Sequence, residues 1–185
     1  MMSSEDMRDS EFAKNIPTSW RGIVAGYFGG PGAAHVWAKD TEWGRFRKNK
    51  KLPIWVAGFS HQDGLTEAGQ AVESLYFLGA TKGCFVALDM ETQVDKTYVD
   101  AFTGVMAYAG FPCFVYGSAS TVFSNPQGAG YWVADYRGIG PFMYQPPAGK
   151  LVRATQYADP AGGSGGNWDS SSVKFWTKTR GKWWV

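Results

Sequence analysis

Asp89 and Glu91 are the residues whose types and spacing most directly suggest chemistry. They stand in FVALDMET (residues 85–92), where a mostly apolar run meets two carboxylates separated by one methionine. Along an extended strand, residues i and i+2 face the same side about 6.5–7 Å apart, so both acids can address one substrate. Carboxylates at that range perturb each other, and apolar neighbours such as Leu88 and Met90 favour one protonated form. One neutral acid beside one anion is what glycoside cleavage uses: the acid protonates the leaving oxygen while the other carboxylate stabilises or attacks. The same two residues would serve equally well as helix caps or as acceptors for backbone amides after a strand, and D-x-E alone does not separate these roles.

Such a pair needs a strand end to hold it, and the chain supplies several. The runs at 22–30, 52–58, 84–91, 112–118, 130–138, 150–158 and 167–176 read as strands. Helical periods appear at 66–80 and 96–110, and a third at 35–49, where Trp37, Trp43 and Phe46 share a face. Apolar runs bounded by Gly and Pro and alternating with helices predict parallel strands, in a doubly wound sheet or a closed barrel. Seven candidate strands in so short a chain make any barrel compact and, where helices run out in the last third, irregular. Both architectures carry active residues at the carboxyl ends of strands. Asp89 and Glu91 occupy such an end, as do Tyr116, Asp135 with Tyr136, and Gln156 with Tyr157; Tyr27 ends the first clear strand.

Other chemistries are less well supported. Asp89, Glu91 and Asp135 offer oxygen ligands, with His35 and His61 nearby in connections, but no metal-ligand spacing joins them, so neither a metal nor a cofactor is expected. GYFGGPGA (26–33) lies between strand and helix without closing as G-x-G-x-x-G, and reads as a tight Gly-rich turn. A net charge of +2 gives no reason to expect nucleic acid. Cys84 and Cys113 each open an apolar run and read as buried thiols. The N-terminus lacks the basic start and apolar core of a secretory signal, and no run is long enough to span a bilayer, so the chain reads as soluble.

The segments VAGYFGGPGAAHVWAKDTEWGRFRKNKKLPIWVAG, a helix ending in LGA, and CFVALDMET together resemble the glycoside-hydrolase-like domain family of actinobacteria, which is similar to the family 25 lysozymes. FVYGS, YWVADY and ATQYA resemble the Y, W-x-A-x-Y and Q-Y strand ends of those lysozymes, and GNWDSS stands where they carry a last-strand Asp. The resemblance implies an irregular β/α barrel over about residues 21–175. It also implies a peptidoglycan substrate, cleaved at the β-1,4 bond after N-acetylmuramic acid. Glu91 is then the general acid and Asp89 its stabilising partner, with Tyr116, Trp132, Asp135, Tyr136, Gln156 and Asp169 lining the groove. The family's first strand bears a further Asp, whereas the strand at Ile23–Phe28 has no acid. Only Asp6, Asp9 or Glu11 could supply it, from a polar segment at 1–20 that does not read as a buried strand. The domain boundary is accordingly expected at residue 21. A wall-acting protein of this kind would leave the cell by a non-standard route, by lysis or in a phage particle. The rival expectation is a non-catalytic wall-binding or assembly module on a degenerate hydrolase scaffold, such as a phage tail or injection-particle component. Lys174, Lys178, Arg180 and Lys182, interleaved with Phe175, Trp176, Trp183 and Trp184, would contact a wall polymer or a protein.

Overall fold

Eight strands close into one barrel in the order β1 to β8, in a computed structural model that describes residues 4–58, 63–90, 96–139, 141–158 and 168–174. They are β1 (Ser4–Asp9), β2 (Ile23–Gly29), β3 (Lys51–Val56), β4 (Val86–Asp89), β5 (Cys113–Ser118), β6 (Gly130–Ile139), β7 (Val152–Ala158) and β8 (Asp169–Lys174). Neighbours from β1 to β7 pair in parallel, while β8 is antiparallel to both β7 and β1. This is the expected irregular β/α barrel.

Among the described residues three helices flank its middle strands: α1 (Gly64–Leu78), α2 (Lys96–Ala109) and the short α3 (Ala119–Phe123). α1 starts at Asp63, whose carboxylate accepts from the Leu65 amide, and stops at Gly79, whose φ of 88° a side chain would oppose. Alternation sends successive strand residues to two cores. Val86, Leu88 and Met90 pack outward beneath the helices, while Phe85 and Ala87 point into the barrel with Met7, Ile23, Leu52 and Phe114. Asp89, next in the inward series, arrives at the carboxyl mouth of the barrel. Both cysteines are buried free thiols, as their positions predict.

The boundary expected at residue 21 moves. SEDMRD forms β1 and pairs with β2 on one side and β8 on the other, so the barrel takes in residues from 4 onward. Met7 fills the interior, while the outward Arg8 is sandwiched between the rings of Trp20 and Trp168, at 4.1 and 4.5 Å. A charged side chain thus covers the outer face that an apolar one would normally cover.

The helix expected at 35–49 is instead a connection with one 3-10 turn, Trp43–Phe46. Trp37, Trp43 and Phe46 do bury together, with ring centroids 4.8 and 5.9 Å from Trp37. Helical hydrogen bonds are given up, however: the Trp37 amide bonds the Tyr27 carbonyl and its indole N–H the Glu11 carbonyl. The Gly-rich turn is as tight as its sequence suggests, since Gly30 (φ 108°) lies against the β3 backbone where a Cβ would fall 2.1 Å from the Val56 carbonyl oxygen.

Candidate active site

Inward-facing strand ends meet at the carboxyl mouth of the barrel around a polar pit of about 40 Å³. Asp9, Asp89, Tyr27, Tyr116, Trp132, Tyr136, Gln156 and Asp169 line it, together with Ile54. Strand register places them there. Asp89 lies opposite Tyr116, Tyr116 opposite Trp132, and Asp9 directly opposite Asp169 on the antiparallel β8. Two acids directly opposite on neighbouring strands repel, so this pairing raises the energy of the doubly ionised state.

Asp9 feels that repulsion. Burial pushes its carboxyl well above the usual range, Asp169 and then Asp89 push it further, and a hydrogen bond from Gln156 acts in the opposite sense. Gln156 is itself buried, donating from Nε2 to Asp9 Oδ2 at 3.4 Å. Its Oε1 accepts from the hydroxyls of Tyr116 and Tyr136, the latter at 2.5 Å. Burial likewise holds the Tyr116 phenol well above its ordinary value, with Tyr136 and the two acids adding to the effect. Trp132 packs against Tyr116 at 4.5 Å between ring centroids and donates its indole N–H to Ser171 at 3.1 Å. Tyr136 is 54% exposed, so its ring also forms part of the rim. The site therefore combines an acid pushed toward its neutral form, further carboxylates and an aromatic wall, which is equipment for protonating a leaving group and stabilising positive charge on a sugar ring.

Seven of the ten site residues expected from the sequence gather at this pit: Asp89, Tyr27, Tyr116, Trp132, Tyr136, Gln156 and Asp169. Two are placed elsewhere. Asp135 falls between the inward residues Ala134 and Tyr136, and Arg137 grips its carboxylate from the chain's outer side through two bonds of 2.7 Å, holding it below the usual carboxylate range. Tyr157 similarly follows the inward Gln156 and packs near Phe142. Strand alternation decides both cases, because each is one residue out of phase with the interior. The tenth, Glu91, lies outside the described residues, as do His61 and the C-terminal aromatic segment beyond Lys174. Asp9 was legible only as one of three candidates for the acid of a first strand. Of the others, Asp6 and Glu11 are exposed.

His35 shares its Nε2 with both oxygens of Glu42, at 3.0 and 2.9 Å. Among the described residues, no group of three or more His, Cys, Asp or Glu side chains is arranged to hold a metal ion, and no helix is long and apolar enough to cross a membrane.

No family model and no curated protein sequence matches this chain. Solved structures do. An uncharacterized B. stearothermophilus protein superposes with a TM-score of 0.67 at 17% identity, over 92% of this chain and 96% of that one. The lysozyme of Streptomyces coelicolor gives 0.58 at 15% identity, over 95% and 94%. The modular Cpl-1 endolysin, solved with a peptidoglycan analogue, gives 0.65 at 15% identity, over 98% of this chain and 57% of the endolysin. The mixed eight-stranded barrel described above is thus a fold shared with the Streptomyces lysozyme and the endolysin.

Proposed function

We propose that this chain binds the glycan of bacterial peptidoglycan at the barrel mouth and hydrolyses its β-1,4 bond after N-acetylmuramic acid. The observation that carries this reading is the third carboxylate. Asp9 arrives on β1 beside Asp89 and Asp169, supplying the acid that the strand at Ile23–Phe28 lacks. In this mechanism Glu91 protonates the departing oxygen, in the role its match to the lysozyme motif implies. Asp89 stabilises the positive charge that develops on the ring, and the neutral Asp9 donates a hydrogen bond without adding a further negative charge. Tyr27 and Tyr136 offer ring faces to the sugar at the rim. The likeness to the Streptomyces lysozyme and to the endolysin supports the substrate class.

A second reading is a module that holds the wall without cutting it. The size of the pit favours it, since about 40 Å³ admits a small substituent rather than a whole sugar ring. Release of reducing sugar ends from purified peptidoglycan, with wild type beside Glu91→Gln and Asp89→Asn, decides between them. Release from the wild type that falls at least about 100-fold in both variants supports hydrolysis. No release, with every protein still sedimenting with the wall, supports the binding module. Neither release nor sedimentation refutes both readings.

A further inference from the structure

Each end of the Gln156 amide is committed to a different part of the barrel. Oε1 accepts from Tyr116 on β5 and Tyr136 on β6, and Nε2 donates to Asp9 on β1. The amide lies with its oxygen toward the two phenols and its N–H toward Asp9. Two hydroxyls converging on one oxygen can both donate to it, and the opposite end then offers its hydrogens to the Asp9 carboxyl.

That orientation has a consequence for Asp9. An amide N–H keeps its hydrogen at every pH of interest, so Asp9 Oδ2 always meets a donor and is a poor place for a second hydrogen. Asp9 Oδ1 is buried and makes no hydrogen bond among the described residues. We propose that Gln156 is a positioning residue: locked by the two tyrosine hydroxyls, it reserves Asp9 Oδ2 as an acceptor and leaves Oδ1 as the oxygen that carries the proton. Only the catalytic use of that proton rests on the glycosidase reading. The groups acting on Asp9 come from every side of the pit. Asp89 on β4 and Asp169 on β8 push it toward the neutral form, and Gln156 on β7 pulls toward the anion. Tyr27, Tyr116 and Tyr136 line the same pit from β2, β5 and β6.

The experiment is a titration of Asp9 itself, followed through its side-chain carboxyl carbon resonance in isotope-labelled full-length protein. Wild type is compared with Gln156→Leu and Tyr136→Phe. Loss of the amide donor in Gln156→Leu raises the Asp9 midpoint further, by about one pH unit. Tyr136→Phe keeps the glutamine but frees it from one of its two restraints, and gives a smaller rise. Its ring is half exposed, so this variant answers the question even if Gln156→Leu does not fold. Unmoved midpoints in the folded variants overturn the proposal. Wall cleavage on the same samples keeps the two ideas apart. Shifted midpoints with an inactive wild type preserve the role of Gln156 and refute the hydrolase, and unmoved midpoints with an active wild type do the reverse.

Discussion

Asp9 enters the barrel with its carboxyl already disfavoured as an anion, and this makes the pH dependence of folding a probe of one side chain. Its folded-state pKa lies above the unfolded value, so the folded chain holds the extra proton between the two. The stability Asp9 contributes is complete below the unfolded value of about 3.9 and is lost as pH rises through the folded one. Asp9→Asn removes that loss. Its melting temperature is expected to fall less than the wild type's between pH 4 and pH 7, and its stability at pH 7 to be higher by about 1 kcal/mol. Parallel melting curves for the two proteins would contradict this account of the buried acid. At this scale the sequence was partly readable. D-x-E at the end of an apolar run marked Asp89, because period-two alternation carries Phe85, Ala87 and Asp89 to one face. The same alternation, applied one residue too generously, admitted Asp135 and Tyr157. Residue type had selected them, and phase excludes them.

Behind the site, Glu67 ties three elements together. This buried carboxylate on α1 accepts from the Trp55 indole on β3 at 3.0 Å and from the Tyr98 hydroxyl on α2 at 2.6 Å. Its neighbourhood holds the Tyr98 phenol above its ordinary value, through burial first and then through Glu67. Glu67→Ala takes the shared acceptor from both donors and is expected to cost about 2–5 kcal/mol in denaturant unfolding. Glu67→Gln, which keeps an acceptor oxygen, should lose less than half of that. Packing is equally strict at Gly26 on β2, where a Cβ would stand 2.6 Å from the buried Trp37 ring. Gly26→Ala should destabilise by about 1–3 kcal/mol in the same assay. Gly26 therefore belongs to the outer packing, and only its neighbour Tyr27 serves the pit. The helices at 64–78 and 96–109 were legible because their apolar period is that of an amphipathic helix. The aromatic spacing at 35–49 gave the right burial and the wrong backbone, since three large rings can share a pocket from a loop as well as from a helix.

For the whole molecule, apolar strands alternating with helices narrowed the fold to a doubly wound sheet or a barrel, the family resemblance chose the barrel, and β1 could not be foreseen. Five of the six residues in SEDMRD are polar, and what makes them a strand is the company they keep: β2, β8 and the two tryptophans around Arg8. Removing residues 1–20 should therefore abolish the cooperative thermal transition and near-ultraviolet ellipticity, because it opens two strand edges and deletes Asp9. A truncated chain that melts like the full-length protein would return the domain boundary to residue 21. The seam between β1 and β8 also orders events in time. Asp9 leaves the ribosome long before its partner Asp169, and contacts so distant in sequence are slow to form. Until β8 slots between β7 and β1, the acids lie apart in water as ordinary carboxylates, and the Gln156 contact to Asp9, spanning 147 residues, has no closed barrel to hold it. Whatever chemistry the site performs, a nascent or interrupted chain cannot perform it, so the making of this protein carries its own delay.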